Sequence, residues 1–233
     1  MAQIYTKSLI LGVHNLLLVA ATPFEIQPLL SHLGLQFNPP EPELSTQIGN
    51  WNCTLLITGV GMVNTAYAMG TMAQRSFDLC LNAGVCGAFN RSLALGEVVL
   101  VQSDTLSELG AEDGENFIPF EKMGLGGKTV FVGGGNRLGL ESLKQVSGIT
   151  VNTVHGNERS IRETEMRTKA HVESMEGAAF LMACETRQWP AYQIRAVSNY
   201  VESRNKAAWE MPLAIEHLNQ FLIHLLNQLT AQP

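Results

Sequence analysis

The chain has no C-x-x-C pair, no H-E-x-x-H array and no mixed Cys/His cluster, which argues against the common structural and catalytic metal sites. Its four cysteines (Cys53, Cys80, Cys86 and Cys184) are scattered singly and read as reduced, mostly buried residues of a cytoplasmic protein. No run approaches the ~18 apolar residues of a membrane span. The stretch "KSLILGVHNLLLVAA" near the amino terminus is split by His14 and Asn15, so its second half reads as a buried strand rather than part of a secretory leader, with residues 1–15 as an extension. Basic residues are few and dispersed: the densest groups are "RTK" (167–169) and "RNK" (204–206), and the net charge is −6. That balance excludes a nucleic-acid or anionic-membrane partner.

The remainder is an apolar-leaning composition, 45% hydrophobic and 15% charged over 233 residues, enough for one large domain with a full core. Short apolar runs at 16–21, 53–58, 78–82, 97–102, 149–154 and 192–197 alternate with helix-patterned stretches near 23–33, 62–75, 158–168, 176–188 and 206–229. The runs are continuous rather than alternating, as in strands covered on both faces. The expectation is a single α/β domain over 1–233, with a mixed, mainly parallel central sheet flanked by helices on both faces. The Gly-Asn turn signal in "IGNWN" (48–52) predicts an antiparallel hairpin, whereas "NPPEPE" (38–43) and "GLGGKTVFVGGG" (124–135) read as loops. In such sheets ligands gather at the carboxyl ends of strands.

The strand ends are where the unusual residues lie. "YQIRAVSNYVESR" (192–204) carries Arg195 inside a strand and closes on Ser198 and Asn199. A buried strand seldom holds a charge and two hydrogen-bonding side chains there without a use for them. The run at 53–58 leads into "GVGMVN", and that at 78–82 into "AGVCGAF", where glycines at strand-to-helix turns would let the backbone approach a ligand. "GVGMVN" is no dinucleotide fingerprint: Asn64 replaces the third glycine and no acidic residue ends a following strand. "TPFE" (22–25) has the pattern of a capping box with proline at the first helical position, and equally places the Glu25 carboxylate where it could take a proton from water. Glu176, opening the helix of "ESMEGAA", either complements the helix dipole or accepts hydrogen bonds from a vicinal diol. Gly177, Ala178 and Ala179 after it let the helix approach the sheet closely.

Taken in order, "VAATPFE", "TGVGMVN", "NAGVCGAF", "GEVVLVQSD", "ESMEGAA" and "RAVSN" resemble the purine nucleosidase/nucleoside phosphorylase superfamily from about residue 16 onward. The match is closest to the methylthioadenosine/S-adenosylhomocysteine nucleosidase branch, and "ESMEGAA" with "RAVSNYVESRNKAAW" is similar to the futalosine hydrolases within it. The resemblance implies hydrolysis of an N-glycosidic bond, no cofactor, a small nucleoside substrate and a homo-oligomer. It implies Glu25 as activator of the water and Arg195 as the group that helps hold that glutamate and the water. Met175 would lie beneath the sugar, Glu176 on the ribose hydroxyls, and Asn199 at the purine N7 and 6-substituent.

The chain departs from the nucleosidases where they carry an aspartate, here Asn199, whose amide donors suit a 6-oxopurine such as hypoxanthine; the bland alternative is a turn residue. It also has Val85 in place of a serine, so any contact there must come from backbone. "TVHGNERSI" (153–161) replaces a base-stacking loop, leaving Val154, His155, Gly156 and Asn157 as candidates to touch the purine. Futalosine carries a benzoate on its 5′ side. Arg159, Arg162, Arg204 and Lys206 are the candidate cations, with Trp209 and the stretch 108–117 shaping the pocket; for Trp209 core packing is the competing expectation.

Overall fold

The first apolar run is the middle of the molecule. Residues His14–Ala20 form strand β1; Leu16, Leu18 and Ala20 enter one hydrophobic layer, Leu17 and Val19 the other. Burial on both faces is why the run is continuous. The computed structural model describes residues 13–134 and 140–231, so most of the expected 1–15 extension lies outside the described residues.

After β1 the chain continues through α1 (Gln27–His32), β2 (Glu43–Ile48), β3 (Trp51–Ile57), α2 (Met62–Thr71), β4 (Leu79–Ala88) and β5 (Val98–Leu106). Then come β6 (Gly110–Asp113), β7 (Asn116–Pro119), β8 (Val130–Val132), β9 (Lys144–Thr150), α3 (Glu158–Thr168) and β10 (Val172–Ser174). The last elements are α4 (Gly177–Arg187), β11 (Ala191–Tyr200) and α5 (Met211–Ala231). The central sheet runs β10-β9-β5-β11-β4-β1-β3-β2, with β8 on β5. β1 is parallel to β3 and β4, β11 to β4, and β9 to β5 and β10, while β2, β8 and the β5–β11 pair are antiparallel. The sheet is thus mixed and mainly parallel in its centre, an α/β domain as its pattern implies.

Helices α1 and α5 cover one face. The apolar residues Ala214, Leu218, Leu222, Leu225 and Leu229 of α5 recur at three- and four-residue spacing and bury against Leu29, Leu30 and the sheet. Helices α2 and α4 cover the other, through Ala68, Met69, Phe180, Leu181 and Cys184. Strand β10 also pairs antiparallel with β4, so β4, β11, β5, β9 and β10 close into a ring. Cys86, Val99, Val101, Val146, Val172 and Val197 pack together within it.

Four sequence expectations are corrected. "NAGVCGAF" is not a strand-to-helix turn: β4 runs straight through it, because its glycines clear room for a neighbouring side chain. The run at 149–154 ends a strand rather than making one. β9 begins at Lys144, where polar Lys144, Gln145 and Ser147 in its first half hide the strand character, and the chain leaves the sheet after Thr150. Within 124–135, β8 adds to the edge of β5 through Phe131; Gly135 lies outside the described residues. The stretch 108–117, expected to shape the substrate pocket, instead contributes to the β6–β7 hairpin, whose turn is at 114–115, and none of its residues lines the cleft of this chain.

Candidate active site

The carboxyl ends of β1, β3, β4 and β11 point the same way, and with β10 and the segment before α5 they enclose a cleft of about 260 Å³. Of the residues singled out in the sequence, Glu25, Val85, Val154, Met175, Glu176, Ser198, Asn199 and Trp209 line it. Arg195 lies directly beneath, 1% exposed. Gly156 does not line the cleft; a Cβ there would meet Arg204. Ala21, Thr22, Phe24, Val60, Cys86, Gly87, Glu173, Ser174 and Met211 complete the walls.

Glu25 closes the short 3-10 turn after β1 and is 8% exposed. Its Oε2 accepts from the Thr22 N–H at 3.0 Å and from the Thr22 hydroxyl at 3.1 Å, and Oε1 accepts from the Val85 N–H at 3.3 Å. The capping contacts thus leave this glutamate on the cleft wall. Three donors occupy three of the roughly four acceptor positions of a carboxylate, leaving one on Oε1. Val85 makes its contact through backbone, as the absence of a serine there requires.

Arg195 is held from two strands. Its Nε donates to Gln193 Oε1 at 3.1 Å, one Nη2 hydrogen goes to Asn82 Oδ1 at 2.5 Å, and Nη2 stands 3.8 Å from Glu176 Oε2. Gly84 pairs with Arg195 in the ladder between β4 and β11. A Cβ on Gly84 would overlap Arg195 Nη1 and stand 2.8 Å from Glu25 Oε1, so the missing side chain leaves room for the guanidinium beneath Glu25, whose carboxylate it influences through its field and not through a direct contact. The Glu176 carboxylate also accepts from the Gly61 N–H at 3.0 Å, which ties the "GVGMVN" turn to the cleft and leaves Oε2 facing Arg195. Burial pushes Glu25 above its ordinary value; Arg195 opposes this and Glu176 reinforces it. A carboxylate that is reluctant to stay ionised is a stronger base than an exposed one.

A register shift in β11 between Val197 and Asn199 turns the last residues of the strand toward the cleft. The Ser198 hydroxyl lies 3.1 Å from the Cys86 carbonyl and 2.8 Å from Asn199 Oδ1. Asn199 Nδ2 donates to the Tyr200 carbonyl at 3.0 Å, so one of its two hydrogens is engaged and one is left for a ligand. Across the cleft, both oxygens of Glu173 hold His155, from its N–H at 3.1 Å and from Nδ1 at 2.5 Å, and Thr164 meets Nε2 at 2.9 Å. This latch fixes the segment after β9 so that Val154 faces the cleft, while Asn157 turns away to cap α3. Trp209, a contested residue in the sequence, has the Arg204 guanidinium 5.6 Å from its ring.

The residues missed by sequence reasoning are mostly the polar ones beneath the floor: Asn82, Asp104, Thr150 and Gln193, all buried. Asp104 had a signal, a charge inside an apolar strand, as Arg195 had. Among the described residues no group of His, Cys, Asp and Glu side chains could hold a metal ion, and no helix is long and apolar enough to cross a membrane.

Residues 15–227 match the phosphorylase superfamily, and the chain belongs to that family. Among its relatives is a futalosine hydrolase of Thermus thermophilus, 32% identical over 74% of this chain and 80% of that one. Another is the futalosine hydrolase of Streptomyces coelicolor, 29% identical over 79% and 82%. In fold it is similar to a Helicobacter pylori 5′-methylthioadenosine/S-adenosylhomocysteine nucleosidase, with a TM-score of 0.80 at 16% identity over 93% of this chain and 99% of that one.

The packing around Gly84 gives a direct check. Gly84→Ala is expected to push the Arg195 guanidinium out of its place beneath the cleft, lowering thermal stability and removing most of the catalytic activity, as read by a melting curve and a turnover assay. Wild-type values for both would mean that the guanidinium does not need this space.

Proposed function

We propose that the protein is an N-glycosyl hydrolase acting on a 6-oxopurine nucleoside. Specifically, it is a futalosine hydrolase that releases hypoxanthine and leaves dehypoxanthine futalosine in menaquinone biosynthesis. The observation that carries this reading is a pair of buried carboxylates on one cleft with Asn199: Glu176, 3.8 Å from the Arg195 guanidinium, and Glu25, within the field of that same cation. The Thermus and Streptomyces relatives support the choice of substrate.

Cleavage of an N-glycosidic bond passes through an oxocarbenium-like transition state, with positive charge on the sugar and negative charge on the leaving purine. Glu25 and Glu176 together outweigh Arg195, so this side of the cleft favours a cation. In the proposed assignment Met175 lies under the ribose, Glu176 Oε2 takes its hydroxyls, and the last acceptor position of Glu25 Oε1 takes a proton from water. General base action of this kind contributes typically ~10²–10⁴-fold. The free hydrogen of Asn199 donates to the departing base; serving both N7 and a 6-oxo group requires the amide to release the Tyr200 carbonyl. Phosphate is an unsuitable nucleophile here, since a carboxylate at contact distance repels an anion by about 4 kcal/mol at an effective dielectric of ~20.

On the 5′ side the cations sort themselves by their partners. Arg159 is paired with Glu163 and Glu115, and Arg162 with Glu158. Arg204 and Lys206 have no carboxylate partner among the described residues, and of the two it is Arg204 that sits over Trp209, which lines the cleft. We assign the aromatic carboxylate of the substrate to this pair. A homo-oligomer fits the apolar residues left at the rim: Val63 and Tyr67 on α2 are 74% and 78% exposed, with Phe24 and Val60 beside them. The free cysteines suit a reducing cytoplasm.

Incubation without phosphate separates the substrates. Futalosine should yield free hypoxanthine, and Arg204→Ala should raise KM for futalosine about tenfold with inosine unaffected, the loss expected for one charge-assisted contact. Release of adenine from methylthioadenosine in preference would overturn the substrate assignment.

Glu25→Gln should abolish turnover while substrate still binds, measured by calorimetry beside the assay. The raised pKa sets the sign of the pH dependence: protonation of Glu25 removes the base, so kcat/KM should fall on acidification with a midpoint above the ordinary 4.5. A midpoint at or below that value, or an active Glu25→Gln enzyme, would leave the residue as a cap only.

A further inference from the structure

Beneath the floor lies a chain of buried polar groups that the reaction does not touch. We propose that Asp104, acting through Gln193, is a positioning residue that fixes the Arg195 guanidinium and so sets the basicity of Glu25. The inference rests on the hydrolytic reading for its catalytic consequence, and on geometry alone for the network.

The direction of every hydrogen bond follows from groups that can act in one way only. Arg195 Nε can only donate, so Gln193 turns Oε1 toward it at 3.1 Å and its Nε2 toward Asp104 Oδ2 at 2.9 Å. The Thr150 hydroxyl accepts from the Ala178 N–H at 2.7 Å and gives its single proton to Asp104 Oδ1 at 2.8 Å. On the far side Asn82 accepts from Arg195 and donates to the Val19 carbonyl at 3.2 Å. Asp104 is met by donors on both oxygens, the arrangement an ionised carboxylate needs. Were Asp104 absent, Gln193 could turn over and present hydrogens to Arg195 Nε, which would push the guanidinium away.

The backbone is shaped for this chain. A register shift in β5 between Val101 and Ser103 breaks the alternation of the strand and brings Asp104 to the side of Val99 and Val101. Gln193 and Arg195 are two apart on β11 and therefore share a face. A Cβ on Gly177 would overlap Asp104 Oδ2 and both amide atoms of Gln193. The small residue at the start of α4 is thus there for the network and not only for close packing on the sheet. Stability does not explain the arrangement: removing an aspartate and an arginine from water costs several kcal/mol each, and apolar replacements of buried ion networks are often neutral or stabilising.

The charged and titratable groups around the chain are few. Asp104 faces Arg195 from β11 and Cys86 from β4; Glu25 faces Arg195 and, from the start of α4, Glu176. Burial pushes Asp104 up to about 6, against the hydrogen bonds from Gln193 and Thr150 and the charge of Arg195. The donors on both of its oxygens favour the ionised form.

The test reads Glu25 itself. In protein labelled with ¹³C at the glutamate carboxyl, the Glu25 resonance is assigned with Glu25→Gln and titrated in wild type, Gln193→Met and Asp104→Asn. Displacing the cation should raise the Glu25 midpoint by about one pH unit in both variants. The same displacement should lower kcat about tenfold to a hundredfold with KM little changed. Asp104→Asn separates the mechanisms, because loss of a nearby negative charge acting through the field alone would lower the midpoint. An unmoved midpoint in Gln193→Met, a lower one in Asp104→Asn, or kcat within about twofold of wild type in Gln193→Met overturns the proposal. Gln193→Met keeps every charge and nearly the same shape, so it decides alone where Asp104→Asn does not fold. The titration needs no turnover, so absence of futalosine hydrolysis in wild type would count against the proposed reaction and not against the network.

Discussion

The protein depends on one positive charge held inside its sheet. Arg195 sits on a central strand, 1% exposed, and its buried neighbours are Gln193, Asn82, Glu176 and Glu25. A guanidinium there carries a desolvation cost of several kcal/mol, and the attraction at 3.8 Å to Glu176 recovers about 4 kcal/mol at an effective dielectric near 20. The two nearly cancel, so the cation adds little to stability. What it changes is the ionisation of Glu25 above it, whose carboxyl burial pushes up and the Arg195 charge pulls back down.

Much of the local structure follows from accommodating that side chain. Gly84 opposes it in the ladder, Gly177 opens the space behind its partner, and register shifts in β5 and β11 bring Asp104 to the network and Asn199 to the cleft. The hydrophobic layers end where the polar groups begin: Cys80 and Ala191 belong to the layer under α2 and α4, Cys86 and Val197 to the cluster inside the ring, with Asn82, Gly84, Gln193 and Arg195 between them on the same strands. One strand face thus runs apolar, polar, apolar, and the polar part lies under the cleft. The Glu173–His155 latch plays a similar part for the wall, holding a loop that has no strand to anchor it.

The fold was legible because β1, β3, β5 and β11 are apolar enough to announce themselves and α5 repeats its leucines at helical spacing. β9 was misplaced because polar residues occupy its first half, and β8 because three residues between glycines look like loop. At the site, residues that break a local rule could be found: a charge within a strand, an amide at its end, a carboxylate opening a helix. Their supports could not, since Gln193 and Thr150 are ordinary in sequence and acquire meaning only from what lies across the sheet. Gly156 stood in the right segment but faces outward, because the turn set by His155 sends only Val154 inward.

The same cleft carries an acid-rich side and an amide side, and the account requires that one nucleoside span them. The most direct measurement is a crystal structure with hypoxanthine and a ribose analogue bound together. It should show Asn199 hydrogen-bonded to the purine, Glu176 on the sugar hydroxyls, and a water between Glu25 Oε1 and the anomeric carbon. A purine seated away from Asn199, or a sugar whose anomeric carbon does not face Glu25, would contradict it.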